Sequence, residues 1–170
     1  MKPFITFILL SSIFCFQACE PAPSEAPAEE MPNEKVETEN GYDAEAAAKY
    51  GADEYGMRSY VMAFLKRGPN RDMDSTQAAE LQQAHLKNIV RLAEAGKLSL
   101  AGPFLDDGDI RGIYIFNVAT VEEAEELTNT DPAIKAGSLV MELKPWYGSA
   151  AVMAVNEIHR TLEKNSVAGE

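Results

Sequence analysis

Between residues 56 and 147 the apolar positions follow two alternating rhythms, a period of two and a period near 3.6, in the order strand, helix, strand, strand, helix, strand. Tyr60-Val61-Met62-Ala63-Phe64-Leu65 and Ile113-Tyr114-Ile115-Phe116 are apolar on both pleat faces. Leu98-Ser99-Leu100-Ala101 and Leu139-Val140-Met141-Glu142-Leu143-Lys144 carry polar residues on one side. Strands apolar on both faces belong in the middle of a sheet. The pattern predicts an α+β, ferredoxin-like βαββαβ domain with an antiparallel sheet whose first and third strands are central.

The first helix is predicted to open at Asp74-Ser75 and to stop at Gly96, with an inward stripe of Ala78, Leu81, His85, Ile89 and Leu92. Thr120-Val121-Glu122-Glu123 is a capping-box pattern for the second, which turns Ala124 and Leu127 inward before the chain restarts at Thr130-Asp131-Pro132. Two helices cover only one sheet face. The apolar second face of the central strands needs its own cover, and a domain of roughly 90 residues has a limited core. A second copy of the sheet is the simplest cover, so a homodimer is expected. Residues 148–170 are read as a helical extension with Val155, Ile158 and Leu162 on one side, lying over a sheet edge or against a partner subunit, with a frayed end from Asn165 to Glu170.

Ahead of this domain the pattern changes twice. Lys2, the apolar run Phe4 to Phe16 and the small Ala18 before Cys19 follow the order of a bacterial export signal, too short for a spanning helix. Phe16-Gln17-Ala18-Cys19 resembles a lipobox. Residues 1–18 are therefore read as a lipoprotein signal peptide and Cys19 as the lipidation site. Two or more acyl chains there would make a stable membrane anchor, each buried methylene contributing roughly 0.8 kcal/mol. A plain secretory signal cut near Ala18 is the alternative, and it too exports the chain. Residues 19–55 are read as the lipidated cysteine followed by an acidic tether rich in Pro, Ala and Glu, with too little to bury to offset its ordering entropy. The expected location is the cell envelope, with the outer membrane favoured and the domain outside the cytoplasm.

Charge and cysteine usage then narrow the chemistry. The formal charge is −12, and the stretch Glu20 to Glu45 holds nine acidic residues and one basic, a net −8, so the folded part is only mildly acidic. That excludes the concentrated basic face of a nucleic-acid binder. The two cysteines, Cys15 and Cys19, both lie in or at the end of the signal. The mature domain thus has no thiol for disulfides, nucleophilic attack or metal binding. Neutral-pH proton transfer falls to two histidines, His85 and His159.

A set of motifs in order now becomes specific: His85-Leu86; Gly96-Lys97-Leu98-Ser99-Leu100-Ala101-Gly102-Pro103-Phe104; Thr130-Asp131-Pro132-Ala133-Ile134-Lys135-Ala136-Gly137; and Lys144-Pro145-Trp146-Tyr147. Together they resemble the YCII-related family across essentially the whole folded domain. The resemblance implies a dimeric α/β barrel, and an active site built on a histidine and an aspartate, here His85 and Asp131. It implies no common reaction.

A carboxylate accepting from one imidazole nitrogen leaves the other free to take a proton. The plainer alternative is that His85 is a core histidine satisfied by backbone and Asp131 only caps the turn at Pro132. Tyr60, Ser99, Phe104 and Trp146 are candidate substrate-binding residues, with core or dimer packing as their alternative role. Arg67-Gly68-Pro69-Asn70-Arg71 either gathers an anionic substrate or is a solvated loop. His159 is expected at the surface. No metal and no cofactor are expected, because the histidines lack partners at ligand spacing, Asp106-Asp107-Gly108-Asp109 fits a turn, and glycine-rich nucleotide patterns are absent. The functional expectation is an envelope-anchored small-molecule enzyme using general acid-base catalysis of isomerase, lyase or hydrolase type. The alternatives are a non-catalytic ligand-binding module and a scaffold.

Overall fold

The two strands that are apolar on both faces occupy the centre of the sheet. The computed structural model describes residues 41–169. Its strands are β1 (Met57–Arg67), β2 (Leu98–Pro103), β3 (Ile110–Phe116) and β4 (Leu139–Ser149), in the order β2-β3-β1-β4 with every pairing antiparallel. Helices α1 (Ala44–Tyr50), α2 (Ser75–Glu94), α3 (Val121–Thr128), α4 (Pro132–Lys135) and α5 (Val155–Leu162) complete it, with a 3-10 turn over Ala150–Ala154 before α5. From β1 to β4 this is the expected ferredoxin-like βαββαβ arrangement.

Pleat parity divides the molecule. Val61, Ala63 and Leu65 of β1 and Tyr114 and Phe116 of β3 pack with Leu92 of α2, Leu98 of β2 and Ala124 of α3 as one buried core. Their neighbours one position out of phase look the other way, where Tyr60, Met62 and Phe64 pair with Trp146, Lys144 and Glu142 of β4. Helix α2 starts where the sequence requires, since the Asp74 carboxylate accepts from the backbone N–H of Thr76 and Gln77, both at 2.9 Å, and the Gln77 side chain reaches back to Asp74 N–H. Gly96 leaves the helix at φ 67°, a conformation in which side chains are strained. At α3 the Thr120 hydroxyl accepts from Glu123 N–H, but the Glu123 carboxylate takes Ala119 N–H, one residue beyond the capping position.

Two boundaries differ from expectation, and the C-terminal segment is more ordered than expected. Residues 44–50, assigned to the tether, form α1, because Ala-rich Ala44–Ala48 favours helix and the turn is capped by Asp43 and closed at Gly51. Lys49 and Tyr50 then meet Glu157 of α5 at 2.8 and 3.2 Å. The rest of the tether up to residue 40, the signal and Cys19 lie outside the described residues. Strand β4 runs past Tyr147 to Ser149, held by Arg58 and Met57 of β1, so the extension begins at residue 150. Helix α5 does lie at a sheet edge, where the Asn156 amide donates to the Leu98 carbonyl of β2 at 2.6 Å. On its apolar side Val155 lines the cavity described below, whereas Ile158 is 55% and Leu162 75% exposed. The tail is not frayed at Ala168, which is buried and whose carbonyl accepts from the Gln83 amide of α2.

On the face away from α2 and α3, Glu142 of β4 sits between Lys66 of β1 and Lys144, the latter at 2.6 Å. The two ammonium groups, Lys144 first, hold its carboxyl down at about 2 from an ordinary 4.5. A depressed carboxylate favours the folded state above its ordinary range and loses that contribution as pH falls through the folded value. Urea midpoints of the parent and Glu142→Gln should therefore differ by a constant small amount above pH 5, and the difference should shrink between pH 4.5 and 2. A gap unchanged down to pH 2 would contradict the pairing.

Candidate functional site

Asp131 is 1% exposed, and a carboxylate so far from water is strongly destabilised unless its oxygens are paired. It lies at the restart between α3 and α4, with Pro132 in the first helical position, and its Oδ1 accepts from Ala133 N–H at 2.8 Å. The second donor comes from the inward stripe of α2. His85 Nδ1 stands 3.0 Å from Oδ1 and 2.8 Å from Oδ2 of Asp131. The two roles weighed for Asp131, capping the turn and partnering His85, are filled by the same side chain.

Since an ionised carboxylate only accepts, Nδ1 carries the proton of this bond, and in that neutral tautomer Nε2 keeps a lone pair. That lone pair faces Tyr114 of β3, whose hydroxyl lies 3.3 Å away, with the two rings 6.2 Å apart and tilted by 19°. Burial, and then the Asp131 charge, push the Tyr114 phenol well above its ordinary value. It therefore stays protonated and donates to Nε2. Tyr114, His85 and Asp131 form one directed chain of hydrogen bonds ending on a buried negative charge.

A second contact set braces α2 against the turn that carries Asp131. The Thr130 hydroxyl is 3.2 Å from Asn88 Oδ1 and 2.7 Å from the Leu127 carbonyl, and Arg91 Nη2 donates to both Asn88 Oδ1 (2.7 Å) and Thr130 Oγ1 (2.8 Å). Asn88 is three residues from His85 and Thr130 one from Asp131. The pair is thus held from both sequence neighbourhoods.

His85 and Tyr114 open onto a cavity of about 930 Å³, floored by aliphatic residues such as Leu65, Leu81, Ile89 and Leu100. This volume suits a small organic molecule. Asp131 is outside the lining, behind His85. Of the four candidate substrate-binding residues only Phe104, 45% exposed, reaches the cavity. Tyr60 and Trp146 stack on each other at 5.5 Å on the other sheet face, and the Tyr60 hydroxyl donates to the Ser149 carbonyl at 3.0 Å. Ser99 is buried under the 3-10 turn, its Oγ 3.2 Å from the Met153 sulfur. Pleat parity is the reason for Tyr60 and its partner Trp146, one residue out of phase with the core position Val61, whereas Ser99 lies at the register shift between Leu98 and Leu100.

Three further side chains reach the cavity: His159, expected only at the surface, and the two arginines of the Arg67–Arg71 stretch weighed as an anion-gathering loop. His159 lines it from α5, its side chain 57% exposed and 3.7 Å from Glu163. Arg67 at the end of β1 and Arg71 in the loop that follows line it as well. Tyr114 was readable in principle, as the one residue with a polar tip on the core-facing pleat of β3. Asp106-Asp107-Gly108-Asp109 forms the exposed turn between β2 and β3 as expected, tied by Arg111 Nη1 to the Asp106 carbonyl at 2.8 Å. Among the described residues no group of three or more His, Cys, Asp or Glu is placed to hold a metal ion, and no helix is long and apolar enough to cross a membrane.

Uncharacterized protein YjpA of Bacillus subtilis (strain 168) is 32% identical over 62 residues, covering 36% of this chain and 71% of YjpA. Among solved structures, 5-chloro-2-hydroxyhydroquinone dehydrochlorinase (TftG) from Burkholderia phenoliruptrix AC1100, in complex with 2,5-dihydroxybenzoquinone, is similar at 20% identity and a TM-score of 0.38, over 51% of this chain and 92% of that one. The profile of the YCII-related domain matches residues 60–147. That segment runs from β1 to β4 and contains both His85 and Asp131, and the chain belongs to the YCII-related domain family.

Proposed function

We propose that the cavity binds a small organic molecule and that His85 moves one of its protons, with Asp131 as positioning residue. The observation that carries this reading is a buried histidine-aspartate pair at 2.8 Å whose histidine lines a 930 Å³ cavity. A structural pair would need no such opening.

In the proposed step, Nε2 takes a proton from a carbon or oxygen of the ligand. The electron pair of the broken bond stays on the ligand as an enolate or phenolate, or leaves with a departing group. Asp131 stabilises the imidazolium that forms, and the neutral Tyr114 O–H donates to the developing oxyanion. Return of the proton to another ligand atom gives isomerisation; its delivery to a leaving group gives elimination. No cofactor enters this step.

One contact favours a second reading, in which the cavity holds its ligand without turnover. Nε2 is already engaged by Tyr114, so in the free protein the base is satisfied. Product formation separates the two. Against a panel of small acids, lactones and phenolic compounds, His85→Ala should lower kcat by about 10²–10⁴-fold, and Asp131→Asn should lower kcat with a smaller change in KM. Equal turnover by parent and His85→Ala would remove the catalytic role and leave ligand holding.

The setting belongs to the same proposal and rests on the sequence. Cys19 carries the lipid, the domain is held outside the cytoplasm at the cell envelope, and two copies meet through the sheet face that bears Met62, Phe64 and Ile113. Palmitate labelling of the expressed protein should disappear in Cys19→Ala, and light scattering of that variant should give twice the chain mass. Label retained in the variant, or a monomer at micromolar concentration, would contradict the respective part.

A further inference from the structure

Three guanidinium groups stand at one end of the cavity, and two of them share a single carboxylate. Arg67 closes β1 and Arg111 opens β3, on neighbouring strands that meet at the bulge where Lys66 pairs with Ile110. Arg71 follows in the loop leading to α2. All three line the same cavity as His85 and Tyr114.

The opposing charge there is slight. Arg71 Nη1 is answered by the Ser138 carbonyl at 3.2 Å. Arg67 is met by Asp107 at 3.6 Å, and Arg111, whose Nη1 donates to the Asp106 carbonyl at 2.8 Å, lies 3.9 Å from the same Asp107, a side chain that is 99% exposed. Neither distance to Asp107 is that of a hydrogen bond, and a loose pair in water holds little. The carboxylates that do line the cavity lie elsewhere. Glu94 is in the last turn of α2, a helix of 20 residues away from the Arg71 end, and Glu163 sits beside His159.

Arginine forks match a carboxylate in plane and spacing, and they do so best where water is thinned. The Arg111 side chain is only 29% exposed. Between this end and His85 the lining is apolar, with Leu65, Leu100 and Phe104. Tyr114 pairs with Ala63, and Arg67 is four residues further along β1, about 13 Å of strand that the arginine side chain partly spans in return. That leaves room for an apolar body one or two rings long.

We propose that Arg67 and Arg111 bind the carboxylate of the ligand in the place Asp107 takes in the free protein, so that the site accepts a small organic acid with its apolar body against His85 and Tyr114. This names the substrate class for the acid-base reading of the same cavity and takes from that reading only the assumption that a ligand binds there. Asp107 acts as an internal stand-in anion, loosely held and readily displaced.

The test compares 2-naphthoate with its neutral isostere 2-naphthamide by isothermal titration to the full protein. Naphthoate should bind about tenfold more tightly than naphthamide, the discrimination expected of one charge-assisted pair. Arg67→Gln should remove most of that preference while leaving naphthamide unchanged. Arg67 is suited to this, since among the described residues its ion pair is with Asp107 and its side chain is 45% exposed. Asp107→Asn should tighten naphthoate by roughly threefold, because a competing anion is gone. Equal affinity for the two probes, no measurable naphthoate binding, or an equal loss for both in Arg67→Gln would overturn the proposal. His85→Gln keeps the two readings apart. Naphthoate preference retained there, with no turnover in the parent on any substrate, removes catalysis and keeps the anion site. Turnover without naphthoate preference does the reverse.

Discussion

A buried carboxylate must find donors, and the arrangement of this domain around Asp131 follows from that requirement. One donor is local, the Ala133 N–H exposed by the helical restart at Pro132. The other comes from 46 residues away, His85 Nδ1 on α2. To deliver it, α2 must be rotated so that His85 points at the turn, which in turn sets Leu92, two helical turns later, into the core. Asn88, Arg91 and Thr130 fasten the same two segments one step further out. The electrostatic demand of one side chain therefore fixes a helix phase, a histidine tautomer and, through the protonated Tyr114, the occupancy of the remaining ring nitrogen.

The sheet beneath this pair works by parity. Alternate residues of β1 and β3 build either the helix-facing core or the opposite face, with no position serving both. Tyr114 can meet His85 because it is in phase with Val61, Ala63 and Leu65; Tyr60 cannot, and spends its hydroxyl on the Ser149 carbonyl instead. The C-terminal segment adds a wall that two helices do not supply. By tying Asn156 to the β2 edge and Ala168 to Gln83, it encloses the volume between α2 and β2 that becomes the cavity.

How far the sequence discloses this depends on whether a position is set by a local rule or by docking. Strand order was legible, since apolarity on both faces marks Tyr60–Leu65 and Ile113–Phe116 as central. The limits of α2 were legible because Asp74, Ser75 and Gly96 are local signals. The His85 and Asp131 pairing was reached through resemblance, as the residues alone favoured a capping role for Asp131, and the geometry gives it both contacts. Tyr60 and Trp146 miss the cavity because residue type does not reveal strand parity, and Ser99 because the register shift at that point of β2 is set by pairing with β3. His159 and the direction of α5 were hidden for a different reason. An amphipathic helix shows which side is apolar, but Ile158 and Leu162 face outward here, because the docking contacts made by Asn156 and Glu157 decide its rotation. Helix α1 fell inside a stretch whose average composition is that of a tether, although its five residues from Ala44 are locally helix-forming.

Hydrogen-bond accounting at His85 constrains what can enter the cavity. In the free protein Nε2 accepts from Tyr114, and the chain through Nδ1 to Asp131 is complete. A ligand that uses Nε2 as base must displace that contact, leaving the Tyr114 O–H in a buried position. If the ligand donates at one atom and accepts at a neighbouring one, as a phenol, enol or hydroxy-carbonyl does, Nε2 takes the donor, Tyr114 finds the acceptor, and the number of bonds is conserved. A ligand offering only one of the two strands a buried polar group, which costs about 1–3 kcal/mol. An apolar molecule of the same shape gains from the aliphatic floor but cannot separate the two rings without that cost. Selection at this end is thus exerted by the pre-existing bond between Tyr114 and His85, before any step of chemistry takes place.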